Sequence, residues 1–304
     1  MQRYFHTPAD VPSEAAVFAI QLNERRGVDG TLLRLSPRGT FWQSMMHPSA
    51  ASVVFWGGRN TTAPWHVWLS PLGGGQAIQL TDGPGIEGHP FWFPDGRRIV
   101  YFASAATCWE MARQFDVERA TAALWILDIE SGQRRQLTCG DYIDERPAVS
   151  PDLRSIAFVS NRSGSMNLWH VGVDGHGLRQ VTHGSGPDYR PYFAPDGTRI
   201  AYFSRAADGS HQLRICTWPD GGAVDFPCRP RFRWVHGPCW SADGRTILVH
   251  AVAQRARKPR LWLIDVVAGT ARPLRLPSVP HASHASWDRA EQWLAVDCRV
   301  PPHR

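Results

Sequence analysis

The chain has 304 residues, of which 43% are hydrophobic and 20% charged, and its formal net charge is +6. This composition is typical of a folded protein and excludes a chain that is disordered throughout. No run approaches the roughly 18 apolar residues that a membrane-spanning helix needs, so no membrane association is expected.

The N-terminal residues and the cysteines predict a cytoplasmic protein. Residues 1–20 mix charged and apolar side chains and do not resemble a secretory signal. The six cysteines include no CxxC pair, so we expect reduced thiols rather than a zinc module or a disulfide framework. Nucleic-acid binding is not expected, because the basic residues are scattered among acidic ones instead of forming a block.

In chain order, the predicted elements begin with two apolar strands within residues 15–36. A degenerate copy of a repeated segment follows, and then five copies that align without gaps over about a dozen residues. Each copy reads as a short strand, a turn rich in Pro, Asp and Gly, and an apolar strand. The copies begin at Gln43, His89, Arg146, Arg190, Gly237 and His284, at intervals of 44 to 57 residues.

The repeats predict an all-β fold, a six-bladed β-propeller of four-stranded antiparallel blades. A third strand with an aromatic or apolar stripe follows most copies, and a fourth strand follows that. The last copy supplies only two strands, so the strands within residues 15–36 are expected to complete the last blade and remove its exposed edges. Residues 1–304 would then form a single domain with an insertion at about residues 103–120.

The repeats resemble those of the TolB-like (PD40) propellers. The resemblance is carried by SPDLRSIAFVSNRSGSMNLWHVGVDGHGLRQVT from Ser150 and APDGTRIAYFSRAADGSHQLRI from Ala194, and it covers roughly residues 40–300. It implies the propeller fold but no single function, because propellers host enzymes and binding proteins alike. One hypothesis is therefore a non-catalytic propeller that binds a protein or a glycan.

The first residue of each copy is expected just before the innermost strand of its blade, pointing at the propeller axis. These residues include two arginines and two histidines, and a cluster of cations repels itself unless an anion or a metal compensates it. Arg146 and Arg190 could hold a carboxylate in bidentate fashion. The neutral imidazoles of His236, His281 and His284 could bind a divalent metal.

This arrangement also resembles the oligogalacturonate lyases, propellers that bind manganese through His and Gln residues at the inner ends of blades. HGPCWSADG from His236 and SHASWDRAEQWLAVD from Ser283 are similar to that family's metal-binding blade starts. The chain departs from the family at Ala282 and Val279, which replace a His and a Gln. It departs again at Arg190, where the family's base-carrying blade begins with His.

The lyase resemblance implies β-elimination on short saccharides that contain uronate, with manganese or a similar divalent metal as cofactor. The implied roles are metal binding by His236, His281 and His284, carboxylate binding by Arg146 and Arg190, and proton abstraction by His89. Gln43, Trp109 and Trp234 are candidates for contact with the anionic saccharide. The remaining histidines, including His250, are expected at the surface, and the recurrent tryptophans are expected to pack between blades.

Overall fold

The computed structural model describes residues 14–22, 28–59, 64–104, 121–184, 186–206, 209–226, 229–254, 256, 258–276 and 282–299. Within these ranges every regular element is a β-strand and none is helical. The described residues therefore contain no helix that could cross a membrane.

The strands follow one another in chain order. The first six are β1 (Ala15–Leu22), β2 (Val28–Arg34), β3 (Thr40–Met46), β4 (Ser52–Gly58), β5 (His66–Pro71) and β6 (Ile78–Gln79). The next eight are β7 (Ile86–Trp92), β8 (Arg98–Ser104), β9 (Ala122–Asp128), β10 (Arg134–Gln136), β11 (Asp144–Val149), β12 (Ser155–Ser160), β13 (Asn167–Gly172) and β14 (Arg179–Gln180). The last ten are β15 (Asp188–Phe193), β16 (Arg199–Arg205), β17 (His211–Thr217), β18 (Ala223–Asp225), β19 (Phe232–Trp240), β20 (Thr246–Ala253), β21 (Arg260–Asp265), β22 (Thr270–Leu274), β23 (Ala282–Trp287) and β24 (Trp293–Arg299).

Four of the sheets are antiparallel and four-stranded, as predicted. They consist of β7–β10, β11–β14, β15–β18 and β19–β22. The two chain ends meet in a larger sheet with the order β23-β24-β1-β3-β4-β5-β6, in which β2 pairs with β1. β1 pairs with β24 along its length, from Ala15 opposite Arg299 to Gln21 opposite Trp293. It meets β3 only through the single parallel bridge between Ala15 and Thr40.

A tight turn connects the first two strands of each repeat. At Asp95, the carboxylate accepts a hydrogen bond of 2.9 Å from the backbone N–H of Arg97, which is typical of an Asx turn. Gly96 follows with a φ of +69°, in the left-handed region that favours glycine. Leu153 takes the same conformation without a glycine, with a φ of +65°. The turn geometry predicted from the repeats is therefore present.

The first strands of successive repeats contact one another in the order β3, β7, β11, β15, β19 and β23, and β23 contacts β3 again. Buried aromatic residues such as Phe55, Phe158 and Phe203 fill the space between sheets. Indole N–H groups join neighbouring sheets through backbone carbonyls. The pairs are Trp92 to Met45 at 3.2 Å, Trp240 to Tyr192 at 3.0 Å and Trp287 to Trp240 at 2.7 Å. This agrees with the packing role expected for the recurrent tryptophans.

Candidate functional site

Each of the six first strands contains a β-bulge, where its pairing with the second strand shifts register. A left-handed backbone conformation marks each bulge, with φ between +39° and +51°. The residues in this conformation are Gln43, His89, Arg146, Arg190, Gly237 and His284. They were expected just before the strand, but the structure places them within it, because pairing resumes on the N-terminal side of the bulge. Five of the six are not glycine, and backbone strain of this kind clusters at functional sites.

All six bulge residues line one cavity of about 90 Å³. The residues that follow them in each strand complete its wall, among them Met45, Phe91, Tyr192 and Cys239. The bulges therefore bring together side chains from six repeats that are far apart in the sequence.

Asp297, on β24, had no predicted role and is fully buried beside this cavity. Its carboxylate accepts hydrogen bonds from the backbone N–H groups of Gln43 at 2.6 Å and Ser44 at 3.1 Å. It also accepts one from the Ser44 hydroxyl at 3.0 Å, and the Nδ1 of His284 lies 2.9 Å from its Oδ2. Asp297 therefore fixes the bulge of β3 and the orientation of His284.

The environment of His284 favours its neutral form. Burial lowers the pKa of His284, and the charges of Arg190 and Arg146 lower it further, while Asp297 opposes this shift. His284 therefore presents an uncharged imidazole to the cavity at neutral pH.

Glu145 compensates the charge of Arg146. The Nη1 of Arg146 donates a hydrogen bond to the Oε1 of Glu145, and the Oε2 of Glu145 lies 3.9 Å from the Nδ1 of His89. Neither ring nitrogen of His89 has a hydrogen-bond partner among the described residues. The His89 ring lies against Trp56 and Phe102, with centroid distances of 5.1 and 5.0 Å.

The pKa of His89 lies well below its usual range because the ring is buried and because the charges of Arg146 and Arg190 disfavour a proton. His89 is therefore a neutral imidazole at neutral pH, with 8% of its surface exposed.

Arg190 differs from Arg146 because it forms no ion pair with the residues that the structure describes. Its Nη2 is buried and has no hydrogen-bond partner in the described ranges. Burial and the charge of Arg146 lower the pKa of Arg190 to about 9, against the opposing effect of Glu145 and Asp297. The cavity therefore contains a guanidinium group whose charge lacks a direct counterion.

His250 corrects the expectation that it lies at the surface. It is 6% exposed, and its ring centroid lies 6.0 Å from that of His284. His250 lies on β20, where it pairs with His236, and every residue of β20 after Thr246 is buried, so both faces of this strand are covered. Burial lowers its pKa well below the usual range, and His284 and Arg190 add to this effect.

The repeats contain a pattern that could have identified His250 and Asp297 as residues of the site. Both are the last residue of their 14-residue segment. Four copies end in apolar residues and two in polar ones. The set is Trp56, Phe102, Val159, Phe203, His250 and Asp297.

Trp234 does not line the cavity but packs against His250, with a centroid distance of 5.1 Å. Its expected contact with a saccharide therefore has no support from the cavity lining. Trp109 and the rest of the insertion beyond residue 104 lie outside the described residues.

The metal-binding set is only partly described. His281 and the side chain of His236 lie outside the described residues, whereas His284 faces the cavity. Among the described residues, no three His, Cys, Asp or Glu side chains come together as metal ligands. Two guanidinium groups share the cavity, and their charges disfavour a cation. The described residues alone therefore do not form a divalent metal site, and the set of His236, His281 and His284 stays a prediction.

Comparison with known proteins identifies the family. No curated protein matches the chain. Among solved structures, "putative TolB from Agrobacterium tumefaciens" is 15% identical, with a TM-score of 0.70 over 95% of this chain and 99% of that one. TolB from Acinetobacter baumannii is 15% identical, with a TM-score of 0.62 over 95% of this chain and 64% of that one.

An oligogalacturonate lyase in complex with manganese is 14% identical, with a TM-score of 0.54 over 94% of this chain and 91% of that one. At these identities the structural similarities establish the fold alone. The family model of the TolB beta propeller domain, PD40, matches residues 114–274, which is more than half of the chain. The chain therefore belongs to the TolB β-propeller domain (PD40) family.

Proposed function

We propose that residues 1–304 form a single six-bladed propeller in which β23 and β24 share the last blade with β1 and β2. The cycle of contacts among the six first strands supports this arrangement, as does the antiparallel pairing of β1 with β24. The single bridge between β1 and β3 would then be a contact between neighbouring blades. This architecture places the cavity on the propeller axis.

We propose further that the axial cavity binds the carboxylate of a small organic anion. The observation that carries this proposal is the buried guanidinium of Arg190, which has no described counterion. Glu145 is engaged with Arg146, and Asp297 is engaged with the bulge of β3 and His284. A carboxylate is the natural partner of a guanidinium, because it accepts two parallel hydrogen bonds from it.

Isothermal titration calorimetry with sodium acetate and sodium galacturonate tests the binding proposal. We expect at least one of these anions to bind the wild type and the Arg190→Met variant to lose that binding. Arg199→Met is the matched control, because Arg199 pairs with the exposed Asp196 at a hairpin turn. Absence of binding for both anions, or equal binding by the Arg190→Met variant, would refute carboxylate binding at this site.

A second candidate function is β-elimination on a saccharide that contains uronate. It is favoured by the neutral imidazole of His89, which shares a cavity with Arg190 and has no partner among the described residues. Neutralising a carboxylate with a guanidinium acidifies the adjacent C–H, and an unprotonated imidazole can accept that proton. The electrons of the C–H bond would form a C=C bond, and the glycosidic oxygen would leave and take a proton from water.

The elimination is tested by the ultraviolet absorbance of the unsaturated product from trigalacturonate, with and without added manganese. We expect the activity to disappear in His89→Gln, while the Arg199→Met control stays active. If wild-type protein forms no unsaturated product under either condition, the lyase hypothesis is refuted and carboxylate binding remains the proposed function. The assay with added manganese also tests whether His236, His281 and His284 together act as metal ligands.

A further inference from the structure

Apart from the bulge residues, the wall of the axial cavity is largely apolar. Met45, Phe91 and Tyr192 line it and are only partly buried, and Cys239 completes this layer. The rings of Phe91 and Tyr192 lie 5.1 Å apart. An anion held at Arg190 therefore has carbon and sulfur atoms beside it.

The side chain of Tyr192 crosses the propeller axis at the level of Met45 and Cys239. Its hydroxyl lies 3.8 Å from the Sδ of Met45 and 3.5 Å from the Sγ of Cys239. Tyr192 is on β15 and Met45 is on β3, which lies three positions away in the cycle of first strands. The side chain therefore reaches across the axis, and a ligand in the cavity cannot extend past it.

The hydroxyl groups of the wall are already engaged within the protein. The Ser44 hydroxyl donates to Asp297, and the Ser286 hydroxyl donates to the carbonyl of Ser44 and accepts from the N–H of Met46. The Tyr192 hydroxyl contacts two sulfur atoms. Apart from His89 and Arg190, the wall therefore offers few partners to the hydroxyl groups of a sugar, and burying a hydroxyl without a partner is unfavourable.

The volume limits the part of a ligand that the cavity can enclose. The cavity measures about 90 Å³, whereas an apolar cavity of about 150 Å³ holds one benzene molecule. It therefore encloses a carboxylate and a few carbon atoms, and a pyranose ring would have to extend out of its open side.

From these observations we infer that the axial cavity selects a short-chain monocarboxylate of about two to four carbons, with its carboxylate on Arg190 and its alkyl end against Tyr192 and Phe91. This inference rests on the carboxylate binding proposed above and names the ligand class. A sugar acid is the alternative ligand that the experiment must distinguish from a short-chain monocarboxylate.

Calorimetric titration with acetate, propionate, butyrate, hexanoate and galacturonate tests the inference on the wild-type protein. We expect the affinity to rise about fourfold per added methylene until the cavity is full. Hexanoate should bind at least about tenfold more weakly than the best acid, because its longer chain would have to be packed against Tyr192 and overpacking is unfavourable. Galacturonate should also bind more weakly than the best alkyl acid.

Two substitutions at the wall sharpen the test. Tyr192→Ala removes the ring that crosses the axis, so the preference should move toward hexanoate. Tyr192→Phe keeps the ring and should keep the wild-type preference. If Tyr192→Ala does not fold, the chain-length series on the wild type and Tyr192→Phe still decides the question.

The outcomes separate the inference from the proposed function. Tighter binding of galacturonate than of every alkyl acid, or an affinity that does not depend on chain length, would overturn the inference while leaving carboxylate binding intact. Absence of binding for all five acids would remove both. A chain-length optimum that is lost in Arg190→Met and shifted in Tyr192→Ala would support both.

Discussion

Replacing Asp297 by alanine should destabilise the protein strongly. The substitution leaves two backbone N–H groups, on Gln43 and Ser44, without their acceptor in a fully buried place. It also removes the acceptor of the Ser44 hydroxyl and the partner of His284. An unsatisfied buried group costs about 1–3 kcal/mol, so the two N–H groups and the lost partners together predict a loss of about 3–5 kcal/mol in the free energy of unfolding. Urea denaturation followed by tryptophan fluorescence measures this loss.

Two further variants test the reason for the loss at Asp297. Asp297→Asn keeps one carbonyl oxygen as an acceptor and should lose about half as much stability. Asp128→Ala removes a partly exposed aspartate that also accepts two hydrogen bonds, both from Ser131, and should have a much smaller effect. A loss of less than about 1 kcal/mol in Asp297→Ala, the value of one ordinary hydrogen bond, would show that this carboxylate does not hold the bulge in place.

Three other predictions concern the same cavity. Because the pKa values of His89 and His250 are lowered in the folded protein, the unfolded chain takes up protons below about pH 6.5 that the folded chain does not. Stability should therefore be full above that pH and fall as the pH drops toward about 5, by up to about 1.4 kcal/mol per pH unit for each histidine. Urea denaturation across this range should show a shallower fall in His250→Phe, and an unchanged slope would contradict the assignment. Arg190→Met should raise the free energy of unfolding without ligand by about 1–3 kcal/mol, because it removes a buried charge without a counterion, whereas Arg199→Met should leave it nearly unchanged. Gly237→Ala should cost about 1 kcal/mol in urea denaturation, since its φ is +51° but no atom lies within 4 Å of the added Cβ; an unchanged midpoint would argue against the left-handed backbone there.

The hairpins of this fold were predictable because their determinants are local. The Asp95–Gly96 turn needs only its own residues, namely an aspartate that accepts an N–H two positions later and a glycine with positive φ. The ungapped repeats also identified the positions that line the cavity, because equivalent positions in a repeat share a direction. Within each strand the direction was harder to predict, since one extra residue at a bulge turns the following side chains to the other face. The burial of His250 was missed for another reason, because it depends on tertiary contacts that cover both faces of β20.

By itself, the sequence determined the order of the strands, the chemistry of their turns and the six residues that meet in the cavity. The tertiary structure decided which charges neutralise one another there. Glu145 could have been matched with its neighbour Arg146, but Asp297 holds the N–H of Gln43 from 254 positions away in the chain. That contact exists only because the two chain ends meet in one sheet, and it leaves Arg190 as the cation without a described partner.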